Sequence, residues 1–360
     1  MVKKTIIFIS VFIVALALTA FFTAKKLSNS PTESELEQCN TLQYNGKNKE
    51  SIVFLSERNK AEKYMNSLFK VSPFDKNKEN FNFYQIDYQP DCENYKGIAI
   101  LCYSKQVLKK AGSCPADYIV VLKDQPSNIR SSSYMNVISL NQNNNENVFT
   151  HEFGHAFANL ADEYVPAQIP KGSKNCQRSC DGFNGIGECS LGCSEEKRFR
   201  SINQGIMKTL SSSSFGAFNE EIINSKISRS SKITGNVIQT STNCGKEEYY
   251  LIEGKLNAEG INILSKSIEI GCVGNNGAGP FSYNLILGNQ QVIKTEEFNP
   301  EMIFTDQVET LSLSGGPVIS EKSFLLKIPI IENSDKLEII NEEIKTNVSL
   351  KDIGARPCII

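Results

Sequence analysis

Two histidines are all that this 360-residue chain contains, so a pattern formed by them cannot come from a general surplus of that residue. A surplus of positive charge is also missing. Lysine and arginine number 38 against 40 aspartate and glutamate, which leaves no basic excess to meet a phosphate backbone, and no nucleic-acid partner is expected. There is no internal repeat. Apolar residues make up 40% of the chain, with glycine and proline in ordinary supply, which excludes a disordered or fibrous protein and allows a full core in about two domains.

Charge and proline are absent from residues 5–24, TIIFISVFIVALALTAFFTA, which run between Lys3-Lys4 and Lys25-Lys26. As a helix this stretch is long enough to cross a bilayer, so residues 1–26 are expected to be a membrane anchor or signal segment. The length favours a single-pass anchor in the cell membrane with the rest of the chain outside. Small residues near Thr23-Ala24 leave cleavage and secretion as the other outcome. Eleven cysteines beside such a segment imply an oxidising compartment and several disulfides, with at least one thiol left over by the odd count. Cys176, Cys180, Cys189 and Cys193 are spaced C-x3-C-x8-C-x3-C. Two disulfides or a second zinc site both fit. The disulfide reading is preferred, because structural zinc knuckles more often use C-x2-C and a polar, glycine-rich loop needs stapling.

The chain then reads in three parts. Residues 27–50 are polar with few large apolar groups, as in a linker. From 51 to 235, short β-type runs alternate with helical spacing: SIVFLSE, a helix through Ala61, Tyr64, Met65, Leu68 and Phe69, then NFNFYQIDY, GIAILCY, DYIVVLK and YMNVISLN as strands. This unit is expected to be α/β (α+β). From 236 to 360 the texture is all-β, with EYYLIEG, INILSKSIEIGC, FSYNLILG, QQVIK, SFLLKIPII and KLEII between turns, which predicts a sandwich-like accessory domain with Pro329 marking an edge strand.

Residues 148–164, VFTHEFGHAFANLADEY, carry the chemistry. At about 100° per residue, Phe149, Phe153, Ala156, Phe157 and Leu160 form one apolar stripe, with His151 and His155 on roughly the opposite side. Residues four apart on a helix are neighbours, so both imidazoles can reach one ion. Glu152 follows the first histidine, the place of the general base in HExxH zinc sites, which takes a proton from the activated water and delivers it to the leaving amine. Two histidines do not complete a catalytic zinc site. Asp162 and Glu163 are the nearest further ligands, and a continuous helix would carry Asp162 about 10 Å beyond His155. The chain must therefore turn, and Asn159 is the residue best suited to a left-handed turn. Asp162 is then the expected third ligand, with Glu163 the runner-up.

HEFGHAFANLADEY resembles the signature of the IgA-peptidase family of zinc metallopeptidases, which belong with the metzincin-like endopeptidases. SPFDKNKENFNFYQIDY and ADYIVVLK resemble strand segments of that family, and QGIMKTLSSSSFGAFNEEI resembles the segment bearing its methionine turn. The resemblance covers about residues 51–230. It implies a metzincin-like fold, Zn²⁺ bound by His151, His155 and Asp162, Glu152 as catalytic base, Met207 below the metal, and a protein or peptide substrate. Ala158 and Ala161 stand where the common metzincin pattern has glycine and a third histidine. Tyr164 fits either an oxyanion-stabilising or a packing role. The expected activity is zinc-dependent hydrolysis of peptide bonds in extracellular or surface proteins; the alternative is a catalytically retired, zinc-containing envelope scaffold.

Overall fold

The structure is a computed structural model that describes residues 36–230, 244–257, 260–304, 322–341, 344–351 and 353. The described residues from Glu37 onward group into one compact unit. Its strands are β1 (Asn40–Gln43), β2 (Glu50–Leu55), β3 (Phe81–Ile86), β4 (Glu93–Tyr95), β5 (Ala99–Leu101), β6 (Tyr118–Lys123), β7 (Ser132–Tyr134), β8 (Val137–Asn141), β9 (Ser190–Cys193), β10 (Glu195–Arg200), β11 (Glu248–Asn257), β12 (Gly260–Ile270), β13 (Phe281–Leu287), β14 (Val292–Phe298), β15 (Met302–Phe304), β16 (Lys322–Pro329), β17 (Ser334–Ile340) and β18 (Lys345–Ser349). The helices are α1 (Arg58–Leu68), α2 (Lys105–Ala111), α3 (Asn147–Ala158) and α4 (Ala217–Ser230).

The continuous apolar run DYIVVLK predicts a strand buried on both faces, and β6 is buried up to Lys123, as β2 and β3 are along their whole length. They lie inside a mixed sheet of order β1-β3-β2-β6-β8-β7-β15. The pairs β2/β3, β2/β6 and β6/β8 are parallel, while β1, β7 and β15 add antiparallel. One face packs α1 and α3: Phe54, Phe83, Tyr118 and Leu140 of the sheet meet Tyr64 and Leu68 of α1 and Phe149, Phe153 and Phe157 of α3. The other face packs Val107, Leu108 and Ala111 of α2, together with Tyr249 and Leu251 of β11. The remaining strands form a three-stranded sheet, β12-β11-β16, a four-stranded sheet, β14-β13-β17-β18, and the two-stranded pairs β4-β5 and β9-β10. Ile252, Phe324 and Leu326 of the first share a core with Tyr283, Leu285, Leu337 and Ile339 of the second. The molecule is thus a mixed α/β protein, rich in sheet, and Pro329 lies on the edge strand β16 as expected.

Several expectations need correction. Asn40–Gln43, within the stretch expected as linker, is the edge strand β1, and Cys39 is tied to Cys114 by a disulfide. YMNVISLN is two strands rather than one: Met135 takes φ 56°, and the chain reverses there between β7 and β8. GIAILCY stands outside the main sheet: its strand β5 forms a two-stranded sheet with β4 beside the Cys92–Cys102 disulfide, with a single bridge from Ala99 to Arg130. Nor is the β-rich part separate in its contacts. Met302–Phe304 completes the main sheet on β7, Asn275 N–H donates to Asp117 Oδ1 at 2.9 Å, and Cys272 N–H donates to the Gly112 carbonyl at 2.8 Å. The expected single-pass membrane placement does not carry over. Among the described residues no helix is long and apolar enough to cross a membrane, and residues 5–24, on which that expectation rested, lie outside them.

The join between the main sheet and β16 encloses Lys327, only 3% exposed, whose ammonium donates to the Cys272 carbonyl and stands 4.6 Å from the Tyr249 ring centre. Burial pushes its pKa down to about 7, against the fields of Asp117 and Glu247. An unfolded lysine keeps its proton to about pH 10.4, so above pH 7 the unfolded chain binds more protons and stability rises with pH. Two pH units at 1.36 kcal/mol each give about 2–3 kcal/mol between pH 7 and 9. Denaturant unfolding of the parent should show that rise, and Lys327→Met should flatten it; equal slopes would exclude Lys327 as the source.

Candidate metal centre

Helix α3 forms where the apolar stripe predicts it, and Phe149, Phe153, Ala156, Phe157 and Leu160 all enter the core against the main sheet. Phe153 meets the rings of Phe74, Phe81, Tyr118 and Phe157. The sequence pattern placed His151 and His155 opposite the buried apolar stripe. Residues 148–157 are nonetheless buried on every side, since the chain after the helix and the segment around Met207 close over it. Gly154, inside the HEFGH motif, permits that closure: a Cβ there would come within 2.8 Å of Phe215 Cε1 and 3.0 Å of Met207 Sδ.

The helix ends at Asn159, in the left-handed conformation with φ 51° and ψ 39°. Its N–H bonds to the His155 carbonyl at 2.9 Å, and the chain then doubles back. The reversal brings Asp162 Oδ1 to 2.9 Å from His151 Nε2 and 3.4 Å from His155 Nε2, with the two Nε2 atoms 3.1 Å apart. Glu163 points elsewhere. Its Oε1 accepts from Asn175 at 3.1 Å and from Asn219, near the start of α4, at 2.8 Å. Burial raises its carboxyl to about 7, with those two hydrogen bonds opposing the shift. Glu152 is fully buried on the same helix. Tyr164 is partly buried just beyond Glu163.

Each imidazole is oriented by a backbone carbonyl, Ile206 for His151 Nδ1 at 2.9 Å and Leu160 for His155 Nδ1 at 2.5 Å. A carbonyl only accepts, so Nδ1 carries the proton in both neutral rings and both Nε2 lone pairs face Asp162. Three electron-rich atoms within 3.4 Å of one another repel unless a positive charge lies among them. The side-chain electrostatics show the same demand: burial alone would lower the His155 pKa, but the Asp162 charge and hydrogen bond outweigh it and raise it. Burial likewise opposes ionisation of Asp162, and the two histidines nevertheless hold its carboxyl well below the usual range. The donor set fits a small cation. A tetrahedral ion with bonds of about 2.0–2.1 Å separates its ligands by about 3.3 Å, close to the observed 2.9, 3.1 and 3.4 Å. His151, His155 and Asp162 can therefore hold a metal ion, as a buried cluster whose ligand atoms lie within 4.8 Å of one another.

The segment carrying Asp162 has no regular structure, and side chains from the cysteine loop fix it. Asn175 Oδ1 accepts from Ala161 N–H at 2.7 Å, Asn175 Nδ2 donates to the Ala161 carbonyl at 2.9 Å, and the Ser194 hydroxyl donates to the Asp162 carbonyl at 2.6 Å. The loop is stapled by nested disulfides, Cys176–Cys193 and Cys180–Cys189, and the first packs directly on Ala161. A fifth disulfide joins Cys244 to Cys272, while Cys358 lies outside the described residues. None of Asn175, Ser194, Asn219 or the Ile206 carbonyl was singled out from the sequence. Polar residues are common in such loops and a carbonyl has no residue signature; only the position of Asn175 beside Cys176 was available as a signal. Removing a group that orients metal ligands typically lowers affinity about 10–100-fold. Asn175→Ala should show a loss of that size in chelator competition, and parental affinity would mean the loop does not position Asp162.

Fold and site together define a mixed α/β, sheet-rich protein with a buried two-histidine, one-aspartate cluster able to hold a metal. No protein-family model matches the chain, and no curated protein matches it.

Proposed function

We propose that this protein is a zinc-dependent endopeptidase that hydrolyses peptide bonds of protein substrates, with Glu152 as the general base. The observation that carries this reading is the convergence of His151, His155 and Asp162 on one point beside a helix that also presents Glu152. Two nitrogens and one oxygen suit zinc, whereas calcium and magnesium favour all-oxygen sites. The resemblance of residues 151–164 to the IgA-peptidase signature supports the same reading, and the five disulfides agree with an oxidising compartment.

Zinc bound there supplies a Lewis acid that polarises the scissile carbonyl and acidifies water. The chain supplies the rest. The Ile206 and Leu160 carbonyls keep both Nδ1 protons in place, so the imidazoles present their lone pairs without losing orientation. Glu152 takes a proton from the attacking water and passes it to the leaving amine, which prevents expulsion of an unstable anion. A second reading, a scaffold with a structural metal, has one observation in its favour: His151, His155 and Asp162 are only 1%, 2% and 4% exposed, and structural sites are closed. A base next to the first ligand has no task in that reading.

The deciding experiment measures zinc in the purified protein and cleavage of a mixed set of unfolded proteins, before and after chelation and zinc restoration. Zinc with chelator-sensitive cleavage supports the peptidase. Zinc without cleavage favours the scaffold, and a protein that binds no zinc overturns both.

A further inference from the structure

We propose that Asn299, contributed by the C-terminal β region, is a positioning residue for the metal centre and acts through Asn159. The inference rests on the metal-binding reading above. Asn159 is the pivot at which α3 stops and the chain turns back, so its backbone sets the path to two groups of the site. One residue on, the Leu160 carbonyl orients His155; three residues on, Asp162 supplies the third ligand.

The side chain of Asn159 is held on both sides. Its Nδ2 donates to the Lys171 carbonyl at 3.0 Å, and its Oδ1 accepts from Asn299 Nδ2 at 3.0 Å, with the two asparagines 7% and 6% exposed. The Lys171 carbonyl can only accept, which turns the Asn159 amide so that its oxygen faces Asn299. Position 299 must therefore donate. Its own Oδ1 is left buried without a hydrogen-bond partner, a destabilising arrangement that a plain apolar filler would avoid.

Asn299 is itself fixed from three directions. Phe298 before it is fully buried between the sheets, and β15 just after it is paired to β7 of the main sheet. Between them Glu301 accepts from Lys171 N–H at 3.0 Å and pairs with Lys322. The third approach is at Gly279, where a Cβ would lie 2.5 Å from Asn299 Cβ, so only glycine lets the two strands of chain meet. Gly172, with φ +79°, brings its own loop against Pro280 and Asn159. Three separate segments thus close around one asparagine side chain. The C-terminal β region is in this account a component of the metal site, and the geometry of the third ligand depends on it.

The test is a double-mutant cycle on the whole 360-residue chain, read as the dissociation constant for Zn²⁺ alone in competition with a chelator. Asn299→Asp keeps the shape and replaces the donor by an acceptor; Asn159→Gly keeps the left-handed backbone and removes the side chain through which Asn299 acts. Asn299→Asp should weaken zinc binding about 10–100-fold. In the Asn159→Gly background the same substitution should change nothing further, because its target is gone. Parental zinc affinity for Asn299→Asp overturns the proposal, as does an equal loss in both backgrounds, which marks general destabilisation. If Asn299→Asp does not fold, Asn299→Ala takes its place in the cycle with the same two outcomes. A parent that binds no zinc is a different failure, that of the metal site itself.

Discussion

Glu152→Gln should leave the protein with its full complement of zinc and lower kcat for peptide hydrolysis about 10²–10⁴-fold, the range that a positioned general base contributes. The substitution keeps the volume of a side chain that is 0% exposed and removes only its capacity to take a proton. Metal content should not change, because the converging ligand atoms belong to His151, His155 and Asp162. Metal analysis beside steady-state kinetics separates the outcomes. Parental kcat in the variant would remove Glu152 from the mechanism. Loss of zinc would instead make it a ligand.

The second large effect is expected at the third ligand. Asp162→Ala should weaken zinc binding by about 10³-fold or more, since one of three protein ligands accounts for about 4 kcal/mol of a binding free energy near 12 kcal/mol. Glu163→Gln should stay within a few-fold of the parent. The two carboxylates are adjacent in sequence, and the structure sends them in opposite directions: Asp162 to the imidazoles, Glu163 to Asn175 and Asn219. Equal losses from both substitutions would mean that the chain beyond Asn159 follows another path, and that Glu163, the runner-up from sequence, shares the metal.

Helix α3 was legible because its information is local. The spacing of Phe149, Phe153 and Phe157 specifies a buried stripe, and two histidines four apart must be neighbours on any helix. The turn at Asn159 was legible for a similar reason, since asparagine enters the left-handed region more readily than other residues with a side chain. Strands that rest on non-local pairing were read less well. YMNVISLN has the composition of one strand, yet its register against β6 and β15 requires a reversal at Met135. β15 was not seen at all, because Met302–Phe304 is strand only by virtue of β7 beside it.

By itself, then, the sequence determined the helix, its buried stripe, the pair of imidazoles, the Glu152 carboxylate next to the first of them and the turn that ends the helix. All of these follow from dihedral preference and from contacts within a few residues. Only the tertiary structure decided which carboxylate meets the histidines, which cysteines pair, and that Ile206, Asn175, Ser194 and Asn299 stand behind the site. Those contacts join residues 9 to 140 positions apart, from Cys180 with Cys189 to Asn159 with Asn299. Their partners are chosen by how the sheets and loops pack, and a one-dimensional pattern carries no record of that choice.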